Sequence, residues 1–270
     1  MPTIKVSGGE IFYEVKGKGE PLVLLRGLGR SSRYWLGFDE CMAENFRVVT
    51  IDHRGVGRST VDFFWHNSIE DLAHDVELVL NQVGINSAHI FGLSLGGMVA
   101  MALAAESPDR CRSLMVANSS SADYLQFRIN PLSIAKLGIS TFGGKLHESL
   151  KLSVTTDKID RRIGHLVGQE WDDIRDEEGF PMETILKQIK AALNFHIKGR
   201  LDGRVVPTLI LYGNQDHFVP KANSKRLHKL IPYSELRLVR GVGHEISIGR
   251  EDQLRELILR FTNQSKSRAS

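Results

Sequence analysis

The sequence predicts an α/β protein: a mostly parallel, doubly wound sheet with a helical cap inserted late in the chain. Short, wholly apolar runs such as Leu22-Val23-Leu24-Leu25 and Ser113-Leu114-Met115-Val116-Ala117 suit strands covered on both faces. Between such runs lie longer stretches with apolar residues at steps of three and four, the period of a helix packed on one side. The strand rhythm stops after Asn118 and resumes near Val205, while helical patterning continues between them. The expected layout is a core from residues 1–118 and 205–264, a helical cap or lid from 119–204, and a flexible polar tail at 265–270.

Each element has its own signal. Ile4–Val6 and Glu10–Val15 read as a hairpin around Gly8-Gly9, and Leu22–Leu25 as the first fully buried strand. Tyr34–Asn45 reads as a helix and Arg47–Ile51 as a strand. Ser68 with Asp71 has the spacing of a capping box, and Ile69, Leu72, Ala73, Val76, Val79, Leu80 and Val83 make an amphipathic helix ended by Gly84. Ala88–Phe91 is a strand, a helix follows through Ala105 until Pro108 stops it, and Ser113–Ala117 is the next strand. In the expected cap, Met182–Lys198 has helical spacing through Ile185, Ile189, Leu193 and Ile197. Val205–Tyr212 and Leu236–Val239 restore the strands, and a last helix carries Leu254, Leu257, Ile258 and Phe261.

Composition excludes several classes of function. A net charge of +3 with scattered basic residues marks no nucleic-acid face. No apolar run approaches the roughly 18 residues of a membrane span, and no segment resembles a signal peptide. The two cysteines, Cys41 and Cys111, lack metal-ligand spacing and read as buried free thiols. A cytoplasmic protein without membrane span, metal or organic cofactor is expected.

The chemistry gathers at Gly92-Leu93-Ser94-Leu95-Gly96, a G-x-S-x-G pattern between an apolar strand and an alanine-rich helix. With 25 glycines in the chain a chance match somewhere has a probability of roughly one in five, so its setting and its partners decide. A serine on such a corner is held clear of the sheet at a helix N-terminus, where the dipole and the Leu95 N–H favour developing negative charge. It becomes a nucleophile only when a base takes its proton and a carboxylate orients that base. His244, after the last expected strand, and Asp216, after the one before, supply these roles. Asp123, in the loop after Ala117, is a rival acid. The corner Gly27-Leu28 offers a second donor, the Leu28 N–H, beside that of Leu95. His53 is expected to fix its loop or meet solvent, and His89 to be a satisfied core histidine.

These residues together resemble the α/β-hydrolase superfamily over almost the whole chain. Gly-Leu-Ser-Leu-Gly-Gly at 92–97 looks like its elbow, Asp-His-Arg-Gly-Val-Gly-Arg-Ser at 52–59 is similar to its D-x-R-G-x-G-x-S loop, and 207–216 and 241–244 look like its acid and base segments. The run from the elbow through Ala117-Asn118-Ser119 looks most like 3-oxoadipate enol-lactonases and related small carboxylesterases. The resemblance implies a serine hydrolase with the triad Ser94, Asp216 and His244, acting on a small-molecule ester, lactone or thioester. Where the family usually has His-Gly, this chain has Arg26-Gly27. Arg26 either ties the strand end to a neighbouring loop or binds a carboxylate on the substrate, as an enol-lactonase would require. The contrasting reading is a small-molecule receptor that keeps the pocket without turnover. The cap aromatics Phe127, Trp171, Phe180 and Phe195 either line a pocket or pack between cap helices.

Overall fold

The computed structural model describes residues 1–123, 161–202 and 206–269. Eight strands form one sheet in the order β1-β2-β4-β3-β5-β6-β7-β8. They are β1 (Thr3–Val6), β2 (Gly9–Lys16), β3 (Glu20–Leu25), β4 (Phe46–Ile51), β5 (Ala88–Leu93), β6 (Cys111–Ala117), β7 (Thr208–Gly213) and β8 (Glu235–Val239). β1 and β2 pair antiparallel, as do β2 and β4; from β4 through β8 every pairing is parallel. This is the doubly wound α/β sheet that the apolar runs predict.

Period-two alternation sorts each strand's side chains to two faces. On one face Val23, Leu25, Val49, Ile90, Val116 and Ile210 pack under α2 (Ile69–Gln82) and α3 (Leu95–Glu106). On the other, Leu24, Val48, Phe91, Met115 and Leu211 meet α1 (Phe38–Ala43) and the C-terminal helix, the last among the described residues. Trp35, Phe38 and Phe91 close that second core with ring centroids 5.6–6.0 Å apart. α2 begins with the expected capping box: the Asp71 N–H donates to Ser68 Oγ, and the Ser68 N–H donates back to the Asp71 carboxylate at 2.8 Å.

Three elements depart from the sequence expectation. The helix predicted over Tyr34–Asn45 is split into a 3-10 turn at Ser32–Trp35 and α1, because Leu36 and Gly37 both take positive φ, 49° and 85°. The helix predicted over Met182–Lys198 ends at Leu193. Leu193 is half exposed, whereas Phe195 and Ile197 leave the helix and turn into the main core. The C-terminal helix runs over Glu251–Ala269, into the stretch expected as a loose tail, and Ser265 Oγ donates to the Phe261 carbonyl at 2.9 Å.

Of the expected cap, the structure describes α4 (Arg161–Glu178) and α5 (Met182–Leu193). Trp171 on α4 is fully buried against Tyr34, with the Arg30 guanidinium 4.2 Å over its ring. Phe195 belongs to the main core and Phe180 is partly exposed, so these aromatics pack or face outward; Phe127 lies outside the described residues. In chain order, α6 (Lys221–Leu230) follows β7 and α7 (Glu251–Ala269) follows β8.

Candidate active site

The sheet order reverses direction between β3 and β5, since β3 leads to β4 on one side and β4 leads across to β5 on the other. Ligand sites in such sheets form at the carboxyl edge of this switch point. Register brings the candidate residues to that edge in a row. Leu25 pairs with Gly92, Leu93 with Ala117, Ala117 with Leu211, and Gly213 with Val239. The segments that follow these residues, carrying Leu28, Ser94, Asn118, Asp216 and His244, therefore leave the sheet side by side.

Ser94 stands between β5 and α3 with φ 57° and ψ −117°, a conformation that a residue with a β-carbon adopts at a cost on the order of 1–3 kcal/mol. Glycine makes the corner passable: a Cβ on Gly92 would overlap the Gly96 carbonyl, and one on Gly96 would overlap the Leu25 carbonyl. The bend is held by two hydrogen bonds to the next strand's end. The Ser94 N–H donates to the Ala117 carbonyl at 2.9 Å, and Ser119 Oγ donates to the Ser94 carbonyl at 2.7 Å.

The Gly27-Leu28 turn lies directly against this corner. A Cβ on Gly27 would come within 3.2 Å of the Ser94 β-carbon, so a larger residue would press on the serine. Among the described residues neither the Leu28 nor the Leu95 N–H has an acceptor. Leu28, Ser94 and Leu95 line one apolar cleft together with Ile189 of α5 and Phe218 and Val219 of the loop after β7.

His244 is buried, and its Nδ1 is 2.9 Å from Asp216 Oδ2. Asp216 is fixed in turn, for its Oδ1 accepts the N–H groups of Phe218 and Val219, both at 2.8 Å. Phe218 packs edge-on against the imidazole, centroids 4.9 Å apart, which places the cleft wall beside the histidine. Burial pushes the imidazole pKa down, but the Asp216 charge, its hydrogen bond and the Glu245 charge outweigh it, so His244 sits above its ordinary value. Asp123 is engaged elsewhere: its carboxylate accepts from Ser121 Oγ and the Ile197 N–H, both at 2.8 Å.

Arg26 is fully buried and directed at the base loop, away from the cleft lining. Its Nη2 lies 2.9 Å from Glu245 Oε2, and its guanidinium stacks 4.6 Å over the Trp35 ring. Through Nη2 the strand end is tied to the base loop, while Nε and Nη1 are buried without a hydrogen-bond partner among the described residues. Burial opposes the ionised form of Glu245, but the Arg26 charge holds its carboxyl below the usual range.

Two other placements escape sequence reasoning. Asn118 takes φ 45° at the end of β6 and bonds to both the β7 end and the base loop. His53, expected to fix its loop or meet solvent, is buried with neither ring nitrogen bonded among the described residues, and burial lowers its pKa to about 4. The surrounding loop is held by its neighbours instead: Asp52 accepts from the Ser32 N–H at 2.7 Å, and Arg54 grips Asp75 through two bonds of 2.5 and 2.7 Å. Among the described residues no group of His, Cys, Asp and Glu could hold a metal ion, and no helix is long and apolar enough to cross a membrane.

A switch-point cleft floored by a strained serine, with a buried histidine–aspartate pair at the same sheet edge, is the architecture of an α/β hydrolase. The model of the alpha/beta hydrolase fold matches residues 20–251, and the chain belongs to that family. It is similar to a protein of Caulobacter segnis named carbamate hydrolase RutD, 32% identical over 268 residues that cover 97% of this chain and 98% of the relative. A protein of the same name from Azorhizobium caulinodans is 30% identical over 97% of this chain and 98% of its own. Among solved structures, Est816, described as an N-acyl homoserine lactone degrading enzyme, matches with a TM-score of 0.78 at 26% identity, over 96% of this chain and 100% of that one. The enol-lactonase from Burkholderia xenovorans LB400 matches with a TM-score of 0.81 at 22% identity, over 97% of this chain and 100% of that one, a likeness of fold.

Proposed function

We propose that this hydrolase is a serine hydrolase that cleaves a small carboxylic ester, lactone or thioester through an acyl-enzyme intermediate. The observation that carries the reading is the buried 2.9 Å contact between His244 and Asp216, set at the same sheet edge as the strained Ser94. With Nδ1 committed to Asp216, the imidazole keeps Nε2 for the serine proton. Ser94 Oγ then attacks the carbonyl carbon, and the C–O or C–S bond to the leaving group breaks as His244 returns the proton to it. Water, deprotonated by His244, releases the acid product and restores the serine. The Leu28 and Leu95 N–H groups receive the oxyanion at both tetrahedral stages.

Arg26 has no substrate role in this scheme, because it lies outside the cleft lining, with Nη2 on Glu245 and its guanidinium stacked over Trp35. The core and cap division at 118 and 205 fits the way α5 reaches the cleft through Ile189. Two unpaired cysteines suit a reducing, cytoplasmic compartment. The relatives named carbamate hydrolase place a carbamate carbonyl beside esters, lactones and thioesters among the acyl groups to be assayed.

The test is covalent labelling with a fluorophosphonate, paired with turnover of p-nitrophenyl acetate. Labelling is expected on Ser94, and Ser94→Ala is expected to abolish it and lower kcat by something on the order of 10⁶. Labelling of another residue, or a Ser94→Ala variant that keeps its activity, overturns the assignment. Binding without turnover would point to the receptor reading.

A further inference from the structure

Asn118 has no part in the chemistry above, yet its amide is bonded on both sides. Its Oδ1 accepts the Gly213 N–H at 2.9 Å, and its Nδ2 donates to the carbonyls of Gly243 at 3.0 Å and His244 at 2.8 Å. Gly213 is the last residue of β7, just before the loop that delivers Asp216. One buried side chain thus spans the strand end that carries the acid and the loop that carries the base. Its main chain joins in: the Asn118 N–H donates to the Leu211 carbonyl at 3.0 Å, and the preceding Ala117 carbonyl accepts from Ser94.

The demands at this position select one residue type. The backbone is in the left-handed region at φ 45°, which asparagine, aspartate and glycine tolerate far better than other residues. The surroundings also call for one acceptor and a two-proton donor within reach of a single side-chain carbon. Glycine meets only the backbone demand, and aspartate offers the acceptor but turns a second oxygen on two carbonyls. Asparagine meets all of them.

We propose that Asn118 is a positioning residue for the acid–base pair: it sets the spacing between the Asp216 and His244 loops and so aims the imidazole at Ser94. The proposal rests on the serine-hydrolase reading.

Two variants test it, Asn118→Gly, which is relaxed at this φ, and Asn118→Asp, which keeps the shape and the acceptor. In both, kcat is expected to fall on the order of 10²-fold with KM changed by less than about threefold, the signature of misaligned groups and intact binding. The second readout is the proton NMR resonance of the His244 Nδ1–H, expected far downfield in the unaltered protein and shifted or broadened in both variants. A folded variant with unchanged kcat and an unmoved resonance overturns the proposal. If Asn118→Gly does not fold, Asn118→Asp decides alone; if neither folds, the residue serves folding and the positioning role is withdrawn. The unaltered protein separates the two readings. Absence of fluorophosphonate labelling there removes the hydrolase assignment, whereas a labelled protein with indifferent variants removes only the role of Asn118.

Discussion

The two halves of the cleft floor are built by different means. Between β3 and β5 the site is main chain: close-packed turns, glycines at 92 and 96 where a β-carbon would collide and at 27 where one would press on Ser94, and the N–H groups of Leu28 and Leu95. Between β6 and β8 it is side chain: His244 on Asp216 and Asn118 on three backbone groups, each buried and each bonded. The first half tolerates changes in the side chains that surround its donors but not added atoms at its turns. The second depends on particular functional groups, and its function is expected to change when one is replaced, even by an isostere.

The largest break expected in this comparison is Asp216→Asn. The shape persists but the tautomer of His244 is no longer fixed, and kcat is expected to drop on the order of 10⁴-fold in steady-state assays of a folded variant. A loss of less than tenfold would mean that another carboxylate serves the histidine.

Next comes Arg26→Ala, which leaves the Glu245 carboxylate buried without its partner. Removing one member of a buried pair costs about 3–5 kcal/mol, to be read as a lowered midpoint in urea unfolding at constant slope. Because Arg26 also borders the Gly27-Leu28 turn, hydrolysis of a neutral ester and of its carboxylate analogue should weaken alike. A selective loss for the carboxylate substrate would return Arg26 to substrate binding.

A smaller, signed effect follows from Glu245→Gln. The Glu245 charge helps hold the His244 pKa above its usual value of about 6.5, so removing it should move the acid limb of kcat/KM to lower pH. In the unaltered protein that limb should lie above about 6.5, with activity rising as the imidazole loses its proton. A pH profile that does not move, or moves upward, would show that Glu245 does not act on the histidine.

The smallest effect belongs to the main-chain half. Leu28→Ala keeps the donor N–H, so kcat should stay within about tenfold of the original, whereas loss of an oxyanion donor costs about 10²–10³. A collapse of kcat in a folded Leu28→Ala would show that the side chain, and not the backbone, does the work.

The same division decides what could be read from the sequence. A site made from main chain restricts residue identity in a local window, so Gly92-Leu93-Ser94-Leu95-Gly96 and Gly27-Leu28 stand out by spacing. The strands were legible for a related reason, since burial on both faces leaves unbroken apolar runs such as Leu22–Leu25. Asn118 and Glu245 were not legible, because their partners lie far off in the chain and a lone Asn or Glu carries no local pattern. The positive φ at Asn118 is the one signal that could have marked it, and Ala-Asn-Ser after a strand is only a weak hint of that. The helix expected over Met182–Lys198 failed differently. Its spacing continued through Ile197, but that residue is buried outside the helix, where a single sequence gives no warning that the chain turns.

The backbone angle at Ser94 has a consequence for stability. At φ 57° and ψ −117° a serine is a residue the fold accommodates against its preference. Ser94→Gly should relieve about 1–3 kcal/mol of strain while giving back under about 1 kcal/mol through a looser unfolded chain. Ser94→Gly is therefore expected to melt higher than the unaltered protein. Drift toward stability alone would favour the glycine at this corner, so a lineage that no longer used the hydroxyl would have every physical reason to lose it.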